Sequence, residues 1–312
     1  MIPLFNIRKP KIQLSDHDHV LHGSVVTEFE DQFAEYVGAK YAVGVSSCTM
    51  AIQLMCLSRQ ADGSGTLPVA HLPAMLPPVV FNAVQHSGIQ FKIVDDPYWV
   101  GSRYTLIEGQ DAVIDSAHEV KCDKSMFEYG ATMLYSFYPT KPVGGIDGGM
   151  VCTNDKVLVD WLRIAVNNGM SQGEASWENQ HEFCGWKAYL STAQAIAAQK
   201  SLSTLDARKE RIGLLRYYYN EAFGYRNTSD HLYQVHIKND RNLLLKSLKD
   251  DHGIICGIHY QTITGLCGID SDSPLADSFK ISNQTLSIPF HEGVTSVQAA
   301  RVVREVHRYI LR

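Results

Sequence analysis

The sequence lacks several features whose absence excludes whole classes of protein. Its 7 cysteines, Cys48, Cys56, Cys122, Cys152, Cys184, Cys256 and Cys267, form no CxxC pair. An odd number at wide spacing fits neither a zinc ribbon nor a redox dithiol and reads as reduced thiols. There is no run of about 18 apolar residues, the length that a membrane-spanning helix requires. The opening MIPLFNIRKPKIQ has neither a continuous apolar stretch nor a small-residue cleavage site, so no export signal is read and a cytoplasmic location is expected. Lys and Arg are spread along the chain and the formal net charge is -5. A nucleic-acid surface needs clustered positive charge and is not expected, whereas a few local cations suffice for an anionic substrate. No internal repeat and no low-complexity segment occurs. Histidines do cluster in DHDHVLH, at His17, His19 and His22. No Cys or carboxylate pattern follows them, so the segment reads as solvated or as part of a substrate entrance, and no metal is expected.

What is present is an ordinary soluble composition, 45% hydrophobic and 20% charged over 312 residues, enough for one large domain or two of usual size. Short apolar runs at Ala42 to Val45, Phe91 to Val94, Ala112 to Ile114, Thr132 to Tyr138 and Met150 to Thr153 read as buried strands. Helical patterns at Thr49 to Leu57, Pro78 to Gln85 (closed by Gly88) and Asp155 to Val166 (ended by Gly169) lie among them. Such alternation predicts an α/β domain with a mainly parallel sheet. Residues 191–224 read as two helical segments or one long helix leaving that domain. Tyr233 to Ile237 and Ile254 to Tyr260 read as strands, Leu243 to Leu248 as a helix and Val297 to Leu311 as an amphipathic terminal helix. The order predicts a large domain over 1–205 and a small α+β domain over 206–312.

The informative stretch is VIDSAHEV followed by YSFYPTKPVGGIDGGMVCTND. Asp115 ends a buried strand, where a carboxylate is costly without a charged partner, and strand ends are where ligands sit in open α/β sheets. A protonated pyridine nitrogen is one such partner; a carboxylate that caps the next segment is the alternative. Lys141 follows a strand and precedes Gly144, Gly145, Gly148 and Gly149, which permit tight turns and close backbone approach. A lysine near an anionic cofactor can shed its proton and attack a carbonyl, though a surface lysine beside a hairpin fits the same local pattern. Ser136, five residues earlier, offers a hydroxyl to a phosphate. A third piece, SSCTMAI, joins a strand to a helix start at Cys48 and Thr49, whose free N–H groups and dipole form an anion site.

The order of these pieces resembles the DegT/StrS family of sugar aminotransferases, which have the aspartate aminotransferase fold. The family's SGTAAL reads SCTMAI here, its EDAAH reads IDSAH, its SFHPTK reads SFYPTK, and GGMVCTND is close to its GGMVVTND. GWKAYLSTAQAIAAQKSLSTLD, LKDDHGIICGIHY and SIPFHEGVT follow in the family's order, so the resemblance covers most of the chain. It implies a fold-type I enzyme dependent on pyridoxal phosphate (PLP), with a seven-stranded sheet in the large domain and a small C-terminal domain. Lys141 falls on the lysine that bonds to the cofactor aldehyde, Asp115 on the partner of the pyridine nitrogen, and His118 on the residue near the ring's phenolic oxygen. Ser136, Cys48 and Thr49 fall on phosphate-binding positions. A homodimer with shared active sites is implied, and Lys187 stands where the family reaches the partner's cofactor phosphate.

The implied reaction moves an amino group from glutamate or glutamine to a keto-sugar nucleotide. Departures from the pattern are specific. The aromatic residue that stacks on the cofactor ring lines up with Pro77, and the entrance loop GWITTG is reduced to HVLHG, ending at Gly23. His259 and Tyr260 fall near the substrate mouth. Trp99, Trp161, Trp177 and Trp186 read as packing residues. Two other readings stand beside the aminotransferase: a PLP-dependent sugar dehydratase, against which Lys141 argues because such relatives carry His there, and a scaffold or regulatory homologue without turnover.

Overall fold

A strand that is apolar on every residue must be covered on both faces, and the central sheet follows that rule. The computed structural model describes residues 1–14, 19–60, 68–171, 178–238, 240–268 and 275–310. Strands β1 (Tyr41–Val45), β2 (Val69–Pro73), β3 (Gln90–Val94), β4 (Tyr104–Ile107), β5 (Val113–Asp115), β6 (Thr132–Ser136) and β7 (Gly149–Thr153) form one seven-stranded sheet in the order β1-β7-β6-β5-β4-β2-β3. Five of them share one direction, and β4 and β7 run against it. The expected seven-stranded α/β sheet is present, most of its strands sharing one direction, with β4 and β7 making it a mixed one.

Helices α1 (Ser24–Val37), α2 (Cys48–Gln60), α3 (Pro78–Ser87), α4 (Lys124–Glu128) and α5 (Lys156–Val166) come between or after the strands. Consecutive strand residues enter opposite cores, as the pleat demands. Val43, Val113, Leu134 and Val151 join the cluster that holds residues of α2, α3 and α5. Ala42, Ile114, Met133, Tyr135, Met150 and Cys152 join the cluster of α1 and of Ala195, Ala198 and Leu202 further along the chain. By the same alternation Asp115 and Ser136 project on the α2 face, each at the last position of its strand. Asp155, expected within a helix, is instead the N-cap of α5, its carboxylate accepting from the N–H groups of Val157 and Leu158.

A short pair, β8 (Met170–Ser171) and β9 (Gln180–His181), lies before α6 (Thr192–Leu202) and α7 (Leu205–Phe223). The stretch 191–224 is therefore two helices. Ser191 and Gln194 form a capping box that starts α6. The hydroxyls of Ser203 and Thr204 bond back to the carbonyls of Lys200 and Ser201, competing with continuation of the helix. Beyond them, β10 (Tyr233–His236), α8 (Arg241–Asp250), α9 (Thr264–Cys267), α10 (Ala276–Gln284), β11 (Thr285–Ile288) and α11 (Ser296–Ile310) complete the described chain. A third core gathers Ile2, Ile212, Tyr219, Tyr233, Leu286, Val302 and their neighbours.

The strand expected over Ile254 to Tyr260 does not form. The segment makes only single bridges, Ile254 to Ile2 and Gly257 to Ser287. It threads between the N-terminal segment and β11, so tightly that a Cβ on Gly257 would lie 2.7 Å from Leu4 Cδ2. No helix among the described residues is long and apolar enough to cross a membrane, and no group of three or more His, Cys, Asp or Glu among them could hold a metal ion. His17 and Trp177 lie outside the described residues.

Candidate active site

The site is built where β5 and β6 end against the start of α2. Gly149 makes this contact possible: a Cβ there would stand 2.7 Å from Cys48 N and 2.9 Å from Tyr135 O, both backbone atoms. Glycine therefore lets β7 and the helix N-terminus meet. Ser47 caps α2, its Oγ accepting from Met50 N–H at 3.1 Å and its carbonyl from Ala51 N–H at 3.1 Å. The N–H groups of Cys48 and Thr49 are left without an intrahelical partner, facing the end of the sheet where an anion is favoured. Ser136, buried at the end of β6, has its Oγ 3.3 Å from Tyr138 N.

Lys141 sits in the loop between β6 and β7, which is tied down on several sides. Phe137 and Gly148 pair across its base, and Gly145 N–H donates to Phe137 O at 2.8 Å. Gly144 is needed for the turn, since a Cβ would meet Pro139 O at 2.4 Å. The buried Arg208 of α7 donates from Nη1 to Pro142 O at 2.8 Å and from Nη2 to Ser201 O at 2.8 Å. The side chain of Lys141 is only partly open to solvent and is densely surrounded. Desolvation holds its ammonium down at about 8, with Asp115 and Cys48 acting in the opposite sense. Among the described residues Nζ has no ion-pair or hydrogen-bond partner.

Asp115 is 3% exposed. Burial raises its carboxyl above the usual range, opposed by the Ala117 N–H, the Tyr104 hydroxyl and Lys141. Oδ1 accepts from Ala117 N at 2.9 Å and Oδ2 from Tyr104 Oη at 2.9 Å. Burial also keeps the surrounding groups neutral: it pushes the Cys48 thiol and the Tyr104 and Tyr260 phenols up. It pushes His118 and His231 well down, and His259 to about 4. The result is that Lys141 and Asp115 share a surrounding whose other titratable groups burial keeps neutral. His118 receives the Gly101 N–H on Nδ1 at 3.1 Å, which leaves its proton on Nε2, 3.0 Å from Tyr260 Oη.

The structure sets Lys141, Asp115, Cys48 and His118 within electrostatic reach of one another, with Ser136 at the end of β6 and Thr49 next to Cys48 at the start of α2. Lys187 is different: it is exposed, pairs by backbone with Asn167, and its charge bears on His22 rather than on this cluster. Several neighbours were not singled out from sequence. Tyr104 and His231 gave no local signal, and Trp99 was read only as a packing residue. Trp99 is packing, at 5% exposure, but it packs against the site: 5.0 Å from the His118 ring, 4.8 Å from Tyr104, and donating its indole N–H to Met75 O at 2.9 Å. His259 and Tyr260, expected near the substrate mouth, lie in the cluster itself.

The donor set fits a phosphorylated pyridine aldehyde: an amine without a partner, a buried carboxylate, and free N–H groups with hydroxyls at a helix start. Fold and site together define the class of PLP-dependent aminotransferases. The structure of NtdA from Bacillus subtilis with bound cofactor PMP matches with a TM-score of 0.77 at 16% identity, over 94% of this chain and 78% of that one. The model of the DegT/DnrJ/EryC1/StrS aminotransferase family matches residues 7–90 and 111–307, and the chain belongs to this family. It is 25% identical to the spore coat polysaccharide biosynthesis protein SpsC of Bacillus subtilis, over 91% of this chain and 89% of that protein. It is 26% identical to dTDP-3-amino-3,4,6-trideoxy-alpha-D-glucose transaminase of Streptomyces venezuelae, over 95% and 90% of the two chains.

Proposed function

We propose that this chain binds PLP and transfers an amino group from glutamate or glutamine to a keto-sugar nucleotide. The observation that carries this reading is the pair formed by Lys141 and Asp115: an ammonium held near 8 by burial, without a direct partner, beside a buried carboxylate. When bound, PLP supplies an aldehyde that carries the amino group and a ring that takes up the electron pair released at the amino-bearing carbon. Lys141 is the residue that would hold the cofactor through its amine. Once released, a lysine with this proton affinity takes a proton on Nζ from one carbon and returns it to the next near neutral pH. Asp115 would meet the ring nitrogen and, when ionised, favour its protonated form. The N–H groups of Cys48 and Thr49, with the hydroxyls of Thr49 and Ser136, hold the phosphate.

His118, fixed as the Nε2-protonated form by Gly101 N–H, would hold the Tyr260 hydroxyl in place beside the cofactor. In a homodimer, Lys187 serves the partner's cofactor phosphate as a point charge. The sugar relatives named above support a nucleotide-linked keto-sugar as acceptor. The test is optical. With PLP, the protein is expected to show the visible band of lysine-bound cofactor, to lose it on adding glutamate, and to regain it with a nucleotide keto-sugar. A Lys141→Ala protein that keeps the same band, or a wild-type chain that binds no PLP, overturns the reading.

A further inference from the structure

The two stretches that match the family model leave out residues 91–110. This is where the chain builds β4, antiparallel to both β2 and β5. The antiparallel register sets Tyr104 directly opposite Asp115, on the same face of the sheet. Both side chains are buried, and Tyr104 Oη donates to Asp115 Oδ2 at 2.9 Å. Oδ1 is engaged by Ala117 N–H, so each carboxylate oxygen accepts one hydrogen bond and keeps a lone pair, and the two bonds together fix the plane of the carboxylate. Tyr104 cannot easily turn away. Trp99 packs edge-on against it at 4.8 Å and is itself anchored to Met75 O.

We propose that Tyr104 is a positioning residue for Asp115, its hydroxyl bonded to Oδ2 fixing the orientation of the carboxylate that would meet the cofactor's ring nitrogen and favouring its ionised form. The inference rests on the PLP reading of the site. Its physical basis is that a carboxylate in a dry site depends on its donors. Four titratable groups face Asp115: Lys141 from the β6–β7 loop, Cys48 from α2, Tyr260 from the segment after α8, and Tyr104 itself. Besides the Ala117 N–H, the Tyr104 hydroxyl bonded directly to Oδ2 and the Lys141 ammonium are the groups that favour the ionised carboxyl against burial. Without it the carboxyl takes up a proton at higher pH, and the pairing with the ring nitrogen is lost there.

The test uses pyridoxamine phosphate, which needs no covalent bond to Lys141, and measures its affinity for the full chain between pH 5 and 8. Tyr104→Phe is expected to bind about tenfold more weakly at pH 7, with the acid limb of the affinity profile moved upward by about one pH unit. In an Asp115→Asn background the same substitution is expected to change neither, because the two residues act through one bond. Should Tyr104→Phe fail to fold, difluorotyrosine placed at position 104 keeps the shape and strengthens the donor. It is expected to move the acid limb downward. Unchanged affinity and unchanged acid limb in a folded Tyr104 variant, with wild-type binding intact, overturn the role of Tyr104. Failure of the wild-type chain to bind PLP or pyridoxamine phosphate overturns the PLP reading instead.

Discussion

Replacing Lys141 by methionine should make the cofactor-free protein more stable while removing its chemistry. The ammonium stands at about 8 in the folded chain against an ordinary lysine value of 10.5. Each pKa unit corresponds to about 1.4 kcal/mol, so at pH 7 holding this group protonated in the fold costs up to about 3 kcal/mol relative to the unfolded chain. Two effects reduce the gain. Part of the side chain remains in contact with solvent, and Asp115 loses the cation that helps to keep it ionised. A net gain of about 1–3 kcal/mol is expected.

The sign with pH is fixed by the same shift. Between about 8 and 10.5 the unfolded lysine binds more protons than the folded one, so the wild-type penalty is complete below that window and disappears as pH rises through it. The advantage of Lys141→Met should fall to about 1 kcal/mol by a pH of about 9.5. Urea denaturation of the two apo proteins at both pH values measures it. A variant less stable than wild type at pH 7, or an advantage that does not shrink with pH, refutes the placement of a desolvated ammonium at this site.

Two further outcomes follow from the packing. Gly149→Ala drives a Cβ into the backbone of Cys48 and Tyr135; it should cost about 2 kcal/mol in urea unfolding and weaken pyridoxamine phosphate binding, since the start of α2 has to move. An unchanged denaturation midpoint would show that the strand and helix do not need this approach. Lys187→Ala removes an exposed side chain, so stability should stay within about 0.5 kcal/mol. Cofactor affinity should still drop severalfold if Lys187 serves the partner's phosphate, and an equilibrium titration with PLP that matches wild type removes it from the set of phosphate ligands.

The readable parts of the site were those whose function depends on local backbone geometry. Lys141 lies in a glycine turn, Asp115 and Ser136 at strand ends, and Cys48 and Thr49 at a helix start. Each of these settings has its own short-range signature. β4 left almost no such trace. Tyr104 to Ile107 is a short stretch whose only distinction is its place between β2 and β5, and the partners that give it that place are distant in sequence. The apolar alternation in Ile254 to Tyr260 misled for the related reason that a strand needs a continuous partner. This segment meets Ile2 and Ser287 at single points only.

By itself, then, the sequence determined which residues would stand at the glycine turn, helix start and strand ends of the candidate site, because turns, caps and strand ends are set by neighbours along the chain. It could suggest Lys141 as an amine of unusual reactivity but not supply the cause. Only the tertiary structure decided that Lys141 and Asp115 would share a shell of groups that burial keeps neutral, since desolvation depends on everything packed around a group. Only the antiparallel insertion of β4 decided that Asp115 would share its outer oxygen with Tyr104, because that contact is a product of register across a sheet and of nothing adjacent in the chain.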